Sequence, residues 1–464
     1  MAVPGLRTKR RAEERARRTF TVRSGVSGGR VRLSALDTIT GTLYTDRAFF
    51  FRETLDGAAL RESLARTMRH HQVLGGRLER DADGGLSVVC NDAGALFEEE
   101  DSPLSMAEHE HGRPGRPSLP QLLPRVPLFQ MTGENLPTLA VRLTHTAGGG
   151  TILGIRIKHV LVDARAYATF MANWSCEHLG RDYPEPNHDR ERLDELGADA
   201  PPEATERSER FVLASRRAKF SLLARIAVTA PRIETVSARL SGAETRELKA
   251  AAMNDLAGTG RWVSTSDAVA AHVWQTVAEL RDRPADANET LGLIAQFSSI
   301  PGDTLPEHYW GNTITSVRPH MTAGQLRSRA LGDIAHTVRE GLSGITAEKL
   351  RDETAFLLAQ RAAGRERRIM PRMPFGAFND TVELNNLSKL PFYEIDLGAG
   401  TPFWCEPARL PVPWMVHFLP TPDEEGSMNV HISMPRATAA TFRTERWQER
   451  LHAYAPDGVP QGGA

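Results

Sequence analysis

The sequence is short of net charge, of cysteine and of long apolar runs, and each shortage removes a class of protein. With 57 basic residues against 58 acidic ones, the net charge is -1. A chain so balanced has no general attraction to nucleic acid or to an anionic membrane, and small, weakly charged partners are favoured. Cys90, Cys176 and Cys405 are odd in number and far apart, with no CxxC spacing and no cluster with histidine. That pattern argues against a disulfide framework and against a structural metal, and it suits a reduced, cytoplasmic compartment. No stretch approaches the roughly 20 consecutive apolar residues of a membrane-spanning helix. There is no GxSxG elbow and no reactive-cysteine context, so nothing suggests a covalent nucleophile.

What is present begins with length: 464 residues imply two domains of about 200 residues each. The first thirty residues carry Arg7, Lys9, Arg10, Arg11, Arg15, Arg17 and Arg18, broken by Glu13 and Glu14, and no apolar core of a signal peptide. They read as a basic, disordered tail, 1–30. A first domain is expected over 31–182, an acidic, proline-bearing linker over 183–210, and a second domain over 211–464.

The most patterned stretch is TILGIRIKHVLVDARAYATFMANWSCEHLG, residues 151–180. Ile155, Ile157 and His159 alternate with Arg156 and Lys158, as in a strand with one face toward the core. After Asp163 the period becomes helical, with Tyr167, Phe170, Met171, Trp174 and His178 on one face. Asp163 is placed to cap that helix. A histidine at the inward end of a strand, facing the start of a helix, is a plausible general base, because its pKa sits near working pH. A buried, purely structural histidine fits the same spacing.

Elsewhere the patterns are simpler. RAFFFRE reads as a strand, Leu60, Leu64, Met68 and His71 as a helical stripe running to Gly75-Gly76, and GRLERDADGGLSVVCND as a hairpin turning at Asp83-Gly84-Gly85. Residues 101–135 show no period and read as a loop, and a second hairpin turns at Gly148-Gly149-Gly150. His145 reads as structural or accidental. In the second half Ser264, three residues before Asp267, opens a helix with a capping box.

The stretch HVLVDARAYATFMANWS resembles the HxxxD(G)xSxxxFxxxWA signature of the BAHD acyltransferases, with Phe170 and Trp174 in register. The resemblance extends from Ser34 to about Phe442. SALD resembles the family's opening SxxD, STSDAVAAHVW its STxxxLxAHxW, HYWGNTITSV its YFGN, and LPFYEIDLGAG its PFYExDFGWG. In the last, Asp396, Gly398 and Gly400 are kept, while Leu397 and Ala399 replace Phe and Trp.

The resemblance implies an α/β fold of two chloramphenicol acetyltransferase-like domains, each a mixed sheet with helices, with a channel between them. It implies a cytoplasmic, monomeric acyltransferase that uses acyl-CoA as co-substrate with no bound cofactor or metal, and that acts on a hydroxyl or amine of a small, specialised-metabolite acceptor. No nucleic acid or membrane partner is expected. His159 would be the base in a direct attack, and Asp163 would hold its loop. Asn312 would shape the cofactor side, and the helix start at Ser264-Thr265 would help hold a CoA phosphate. Asn385 and Asn386 are candidate oxyanion donors, and Asp396 reads as structural. Besides Leu397, three positions depart from the pattern: Ala164 for Gly, Ala399 for Trp, and Ser298 where the family has an arginine paired with the motif aspartate. Two other readings stand beside this one. One is a condensation-type enzyme fed by a carrier protein, against which Lys158 replaces the first His of HHxxxDG. The other is a non-catalytic binding protein on the same fold.

Overall fold

The computed structural model describes residues 17–109, 118–127, 130–297, 305–372, 380–407, 412–422 and 424–456. The chain divides into two compact units. The first comprises Met1–Glu195, Leu305–Asn312 and Pro391–Ala408; the second comprises Leu196–Thr304, Thr313–Leu390 and Arg409–Ala464.

The first unit is built on a six-stranded mixed sheet. Its strands are β1 (Arg18–Val22), β2 (Tyr44–Phe51), β3 (Ala95–Ser105), β4 (Leu139–Ala147), β5 (Thr151–Lys158) and a late edge strand, Trp404–Pro407. They lie in the order β1-β3-β4-β5-β2-(Trp404–Pro407), with β3 and β4 parallel and the other neighbours antiparallel. The hairpin at Gly148-Gly149-Gly150 joins β4 to β5, and all three glycines have the positive φ that such a turn demands. The hairpin at Asp83-Gly84-Gly85 joins Arg77–Arg80 to Leu86–Val89.

One face of this sheet is covered by helices α1 (Gly57–His70) and α2 (Ala164–Leu179). Asp56 caps α1, accepting from the amides of Ala58 and Ala59. The helix stops at His70, short of the expected Gly75-Gly76, and a 3-10 turn over Gln72–Leu74 completes the connection. The two helices meet at Ser63, whose hydroxyl accepts from the Trp174 indole at 3.0 Å.

Two expectations are corrected on the other face. Residues 101–135 are not a featureless loop: β3 continues to Ser105, and short helices cover Met106–His109 and Leu119–Leu122. Leu119, Leu122 and Leu123 pack on Ala48, Phe50 and Ile152. As a result β5 is buried on both faces rather than half-buried. Arg156 and Lys158, which alternate outward, are held by protein groups instead of water. Arg156 pairs with Asp46 at 3.0 Å, and Lys158 donates to the Gln130 carbonyl with its ammonium over the Tyr44 ring. An alternation of charge thus reads as a solvent face only if nothing pairs with it.

The basic start is corrected too. Residues 1–16 lie outside the described residues, but β1 lies within the expected tail. Arg17 and Arg18 pair with Glu100 and Glu99, so part of the tail's charge is neutralised by β3. The expected linker is likewise structured, with a helix over Glu191–Glu195 and a 3-10 turn over Pro202–Thr205, and Arg190 is buried within it. Elements this short carry no periodic stripe.

The second unit has a mixed sheet of β6 (Ile233–Leu240), β7 (Asn288–Gln296), β8 (Ile314–Val317), β9 (His320–Thr322), β10 (Thr381–Asn386), β11 (Met415–Leu419) and β12 (Met428–Pro435). The order is β6-β12-β11-β10-β7-β8, with β9 also on β7. Its core packs α3 (Gly242–Asp255), α4 (Thr265–Arg281) and α5 (Leu331–Ser343), joined by Trp274, Val277 and Ile334. Among the described residues no helix is long and apolar enough to cross a membrane.

Gly154 in β5 tests the covered face. A Cβ there would run into the Leu122 carbonyl. Gly154→Ala should therefore cost about 1–3 kcal/mol of stability by lifting the 118–124 segment. An unchanged denaturant midpoint would show that this segment does not press on the strand.

Candidate active site

His159 follows β5 directly. Its amide donates to the Leu43 carbonyl at 2.9 Å, extending the β2 pairing by one residue, so its side chain stays on the face of Ile155 and Ile157. The chain then turns tightly. The amides of Leu161 and Val162 donate to the carbonyls of Lys158 and His159, and Asp163 starts α2, its Oδ1 accepting from the Ala166 amide at 2.8 Å. Ala164 is the first residue of α2 and keeps ordinary helical backbone, so the position does not require glycine.

The loop from His159 to Asp163 is held from outside by groups far away in sequence. Asn312 Nδ2 donates to the His159 carbonyl at 2.9 Å, Arg190 Nη2 to the Leu161 carbonyl at 2.7 Å, and Thr45 Oγ1 to the Val162 carbonyl at 3.4 Å. Asn312 and Arg190 converge in turn on Asp37. Its Oδ1 accepts from Arg190 Nη1 at 2.9 Å, from the Asn312 amide at 3.2 Å and from Asn312 Nδ2 at 3.0 Å. Its Oδ2 takes the amide and hydroxyl of Ser34. Both side chains of the Asp37–Arg190 pair are wholly buried. Trp310 closes the group, its indole donating to the Ala166 carbonyl and its ring against His71 at 4.8 Å and His188 at 5.0 Å.

The backbone of His159 is thus clamped while its ring is half-buried, with Nδ1 meeting no protein partner. Burial pushes its pKa below the ordinary histidine value, an effect that the charge of Asp163 opposes. The imidazole is therefore harder to protonate than an ordinary histidine, which favours the form with a lone pair to accept a proton.

The remaining predicted residues fall in different places. Asn312 has its amide hydrogens committed to Asp37 and His159, so it supports the histidine loop from within the protein. Asp396 and Gly398 form a turn hung on α2: Ser175 Oγ donates to the Asp396 carbonyl at 2.7 Å, and Asp396 Oδ1 accepts from the Gly398 amide. Gly398 and Gly400 have positive φ, and a Cβ on Gly398 would meet the His178 ring. Leu397 is buried.

In the second unit, Ser264 caps α4 with Thr265 at its first turn. Asp267 lies there too, its Oδ2 accepting from Ser264 and pairing with Arg339 at 2.9 Å. Asn385 and Asn386 end β10, and Asn386 Oδ1 accepts from the Ser388 amide and hydroxyl. A cleft of about 730 Å³ lined by Phe211, Leu213, Phe356 and Arg372 contains none of the predicted residues. Ser298 lies outside the described residues. His145 bonds Glu99 at 3.1 Å, a structural contact.

Two residues of the clamp escaped the sequence reading. Arg190 sat in an apparent linker, and Asp37 was noticed only as part of a motif. The signal for their pairing was that motif acid, SALD, with no basic neighbour of its own.

A family model described as the Transferase family matches residues 15–450. The chain belongs to this family, the BAHD acyltransferases. It is 25% identical over 406 residues to shikimate O-hydroxycinnamoyltransferase of Nicotiana tabacum, covering 86% of this chain and 91% of that protein. Hydroxycinnamoyl-CoA:5-hydroxyanthranilate N-hydroxycinnamoyltransferase of Avena sativa is also 25% identical, over 92% of this chain and 98% of its own length. In fold it is similar to TRI101 of F. graminearum complexed with coenzyme A and deoxynivalenol, with TM-score 0.70, 17% identity, and coverage of 91% of this chain and 99% of that one. In this BAHD acyltransferase the histidine loop is fixed by the Asp37 network, and that network can be tested by removal. Arg190→Met should cost roughly 3–5 kcal/mol, because it strands the Asp37 carboxylate in the core. A denaturant midpoint equal to wild type would mean the loop is held otherwise.

Proposed function

We propose that the chain transfers an acyl group from acyl-CoA to a hydroxyl or amine of a small, specialised-metabolite acceptor, with His159 as general base. The observation that carries this reading is an imidazole whose Nδ1 meets no protein partner, on a backbone clamped by Arg190, Asn312 and Thr45. Proton transfer by a positioned base contributes typically about 10²–10⁴-fold, and positioning decides how much is realised.

His159 takes the acceptor's proton as its oxygen or nitrogen bonds to the thioester carbonyl. The tetrahedral intermediate collapses with loss of the C–S bond, and the imidazolium returns its proton to the departing thiolate. No acyl-enzyme is required. Asn385 and Asn386 are our candidates for the oxyanion, and Asp163 positions the loop as the cap of α2.

For the donor, we place a CoA phosphate at the start of α4, where Ser264 and Thr265 lie. The Asp267 carboxylate in that first turn opposes an anion, and Arg339 offsets it. Beside them the exposed Trp262 ring lies 4.1 Å from the Arg339 guanidinium, a surface suited to a base and its phosphates. The names of the two relatives divide between O- and N-acylation, and both concern hydroxycinnamoyl groups, which makes aromatic acyl-CoAs the first donors to try. In this reading the enzyme acts as a cytoplasmic monomer, without metal, nucleic acid or membrane.

The test is a panel of acyl-CoAs and acceptors, with release of free thiol and product mass as readouts. His159→Ala should lower turnover at least 10²-fold while leaving the melting temperature near wild type. Near-normal turnover in that variant would refute the mechanism, and transfer from a carrier protein but from no acyl-CoA would refute the donor. Because burial lowers the His159 pKa, the base stays unprotonated as pH falls past its ordinary value, about 6.5. The acid limb of kcat/KM should therefore begin below that pH. A limb centred above it, with chemistry rate-limiting, would contradict the assignment.

A further inference from the structure

Five arginines in the cores of the two units are less than a tenth exposed and each has a carboxylate. Arg142 has Glu98, Arg156 has Asp46, Arg190 has Asp37, Arg210 has Glu353 and Arg361 has Glu366. Arg47, 3% exposed, differs. Its Nε and Nη1 are buried and meet no acceptor, and among the described residues no carboxylate pairs with it. Instead its guanidinium lies over the Phe392 ring, 4.0 Å from the centroid, and 5.6 Å from the centre of the Tyr167 ring. The Tyr167 hydroxyl is also buried without a partner.

The neighbouring acids face away. Asp46 points to the opposite side of the sheet, where Arg156 takes it, and Glu406 sits opposite Ala48, on that same far side. Two near-side groups close to the guanidinium, Cys405, which is a hydrogen-bond partner of Arg47, and Tyr167, are kept in their neutral forms by burial. Burial pushes the Cys405 thiol up to about 12 and raises the Tyr167 phenol well above its ordinary value. A buried cation with two N–H groups unmet and no counter-charge is costly unless something else supplies the anion.

Register connects this cation to the proposed chemistry. Arg47 stands opposite Ile155 and Thr45 opposite Ile157, while the His159 amide bonds the Leu43 carbonyl. Directly paired residues share a face, so Arg47 and His159 lie on the same side of the sheet. Four residues of strand separate them, about 13 Å between backbones. A span of that length is on the scale of one small organic acid.

We propose that Arg47, with the Tyr167 hydroxyl, is a specificity site for a carboxylate carried by a small organic acid undergoing the transfer. One carboxylate oxygen accepts from Nη1 and the other from the adjoining Nη2, the two N–H groups that point the same way, and the phenol donates a third hydrogen bond. The inference rests on the acyl-transfer reading above for its substrate, while the anion site itself stands on the unmet donors.

The experiment compares a carboxylic acid acceptor with its primary amide, and, with a neutral acceptor, a dicarboxylic half-thioester of CoA with its uncharged analogue. Wild type should favour the acid in one arm by on the order of 10²- to 10³-fold in kcat/KM, and that arm identifies the carrier of the carboxylate. Arg47→Met should erase the preference while keeping activity on the neutral partner within about tenfold. Arg47→Lys should recover part of it, and Tyr167→Phe should lose part. Arg47→Met should also keep or raise the melting temperature, since it removes an uncompensated buried charge.

Equal losses on acid and amide, a melting temperature that collapses, or no acid preference in either arm would overturn the site. Turnover of neutral partners without any acid preference would do so while leaving acyl transfer intact. A thermal shift by the carboxylic acids that Arg47→Met abolishes, in a protein that turns over nothing, would keep the site and remove acyl transfer.

Discussion

A single buried ion pair, Asp37 with Arg190, fixes the first unit at the point where chemistry is proposed. Two opposite charges with no access to water are offset only where most of their remaining donors and acceptors are satisfied nearby. Asp37 meets that condition by accepting five hydrogen bonds, from Arg190, Asn312 and Ser34. Arg190 Nη2 and Asn312 Nδ2 then donate to the carbonyls of Leu161 and His159, while the buried Arg190 Nε meets no acceptor. The cost of burying charge is offset by the same contacts that hold the histidine loop. Stability and positioning are here one network, and neither can be altered without the other.

The parts of this arrangement that depend on local pattern were legible in the sequence. β5 ends at Lys158 and α2 begins at Ala164 because the side-chain period changes from two to 3.6 there, and Asp163 announces the change. Both glycine-rich hairpins were readable for the same reason, since few residues other than glycine accept a positive φ. What escaped was whatever depends on a partner distant in sequence. Arg156 and Lys158 looked solvated until Asp46, Tyr44 and Gln130 closed over them. Arg190 lay in an acidic stretch whose helix is five residues long, too short to show a stripe. The GN motif marks Asn312 but points to a ligand-facing role. Its two amide hydrogens are spent inside the protein.

The turn at Asp396 shows how a motif can survive erosion. Its neighbours Leu397 and Ala399 have lost aromatic bulk, yet the turn is held by backbone hydrogen bonds to Ser175 and by two glycines in the left-handed region. Interactions made by main chain depend little on which side chains flank them. The capping box at α4 makes a complementary point. A side chain that terminates a helix well, here Asp267, also sets the charge any ligand must face there, and Arg339 is needed to balance it.

The interrupted make-up of the first unit has a consequence for its synthesis. Asp37 leaves the ribosome 275 residues before Asn312, and the edge strand beside β2 follows only at Trp404. At translation rates of roughly 5–20 residues per second, the nascent chain holds an aspartate destined for the core, and an open sheet edge, for on the order of tens of seconds. The amino-terminal half of this protein is therefore made first yet stays incomplete until residues 404–407 emerge, and during that interval its open edge is available to any other strand.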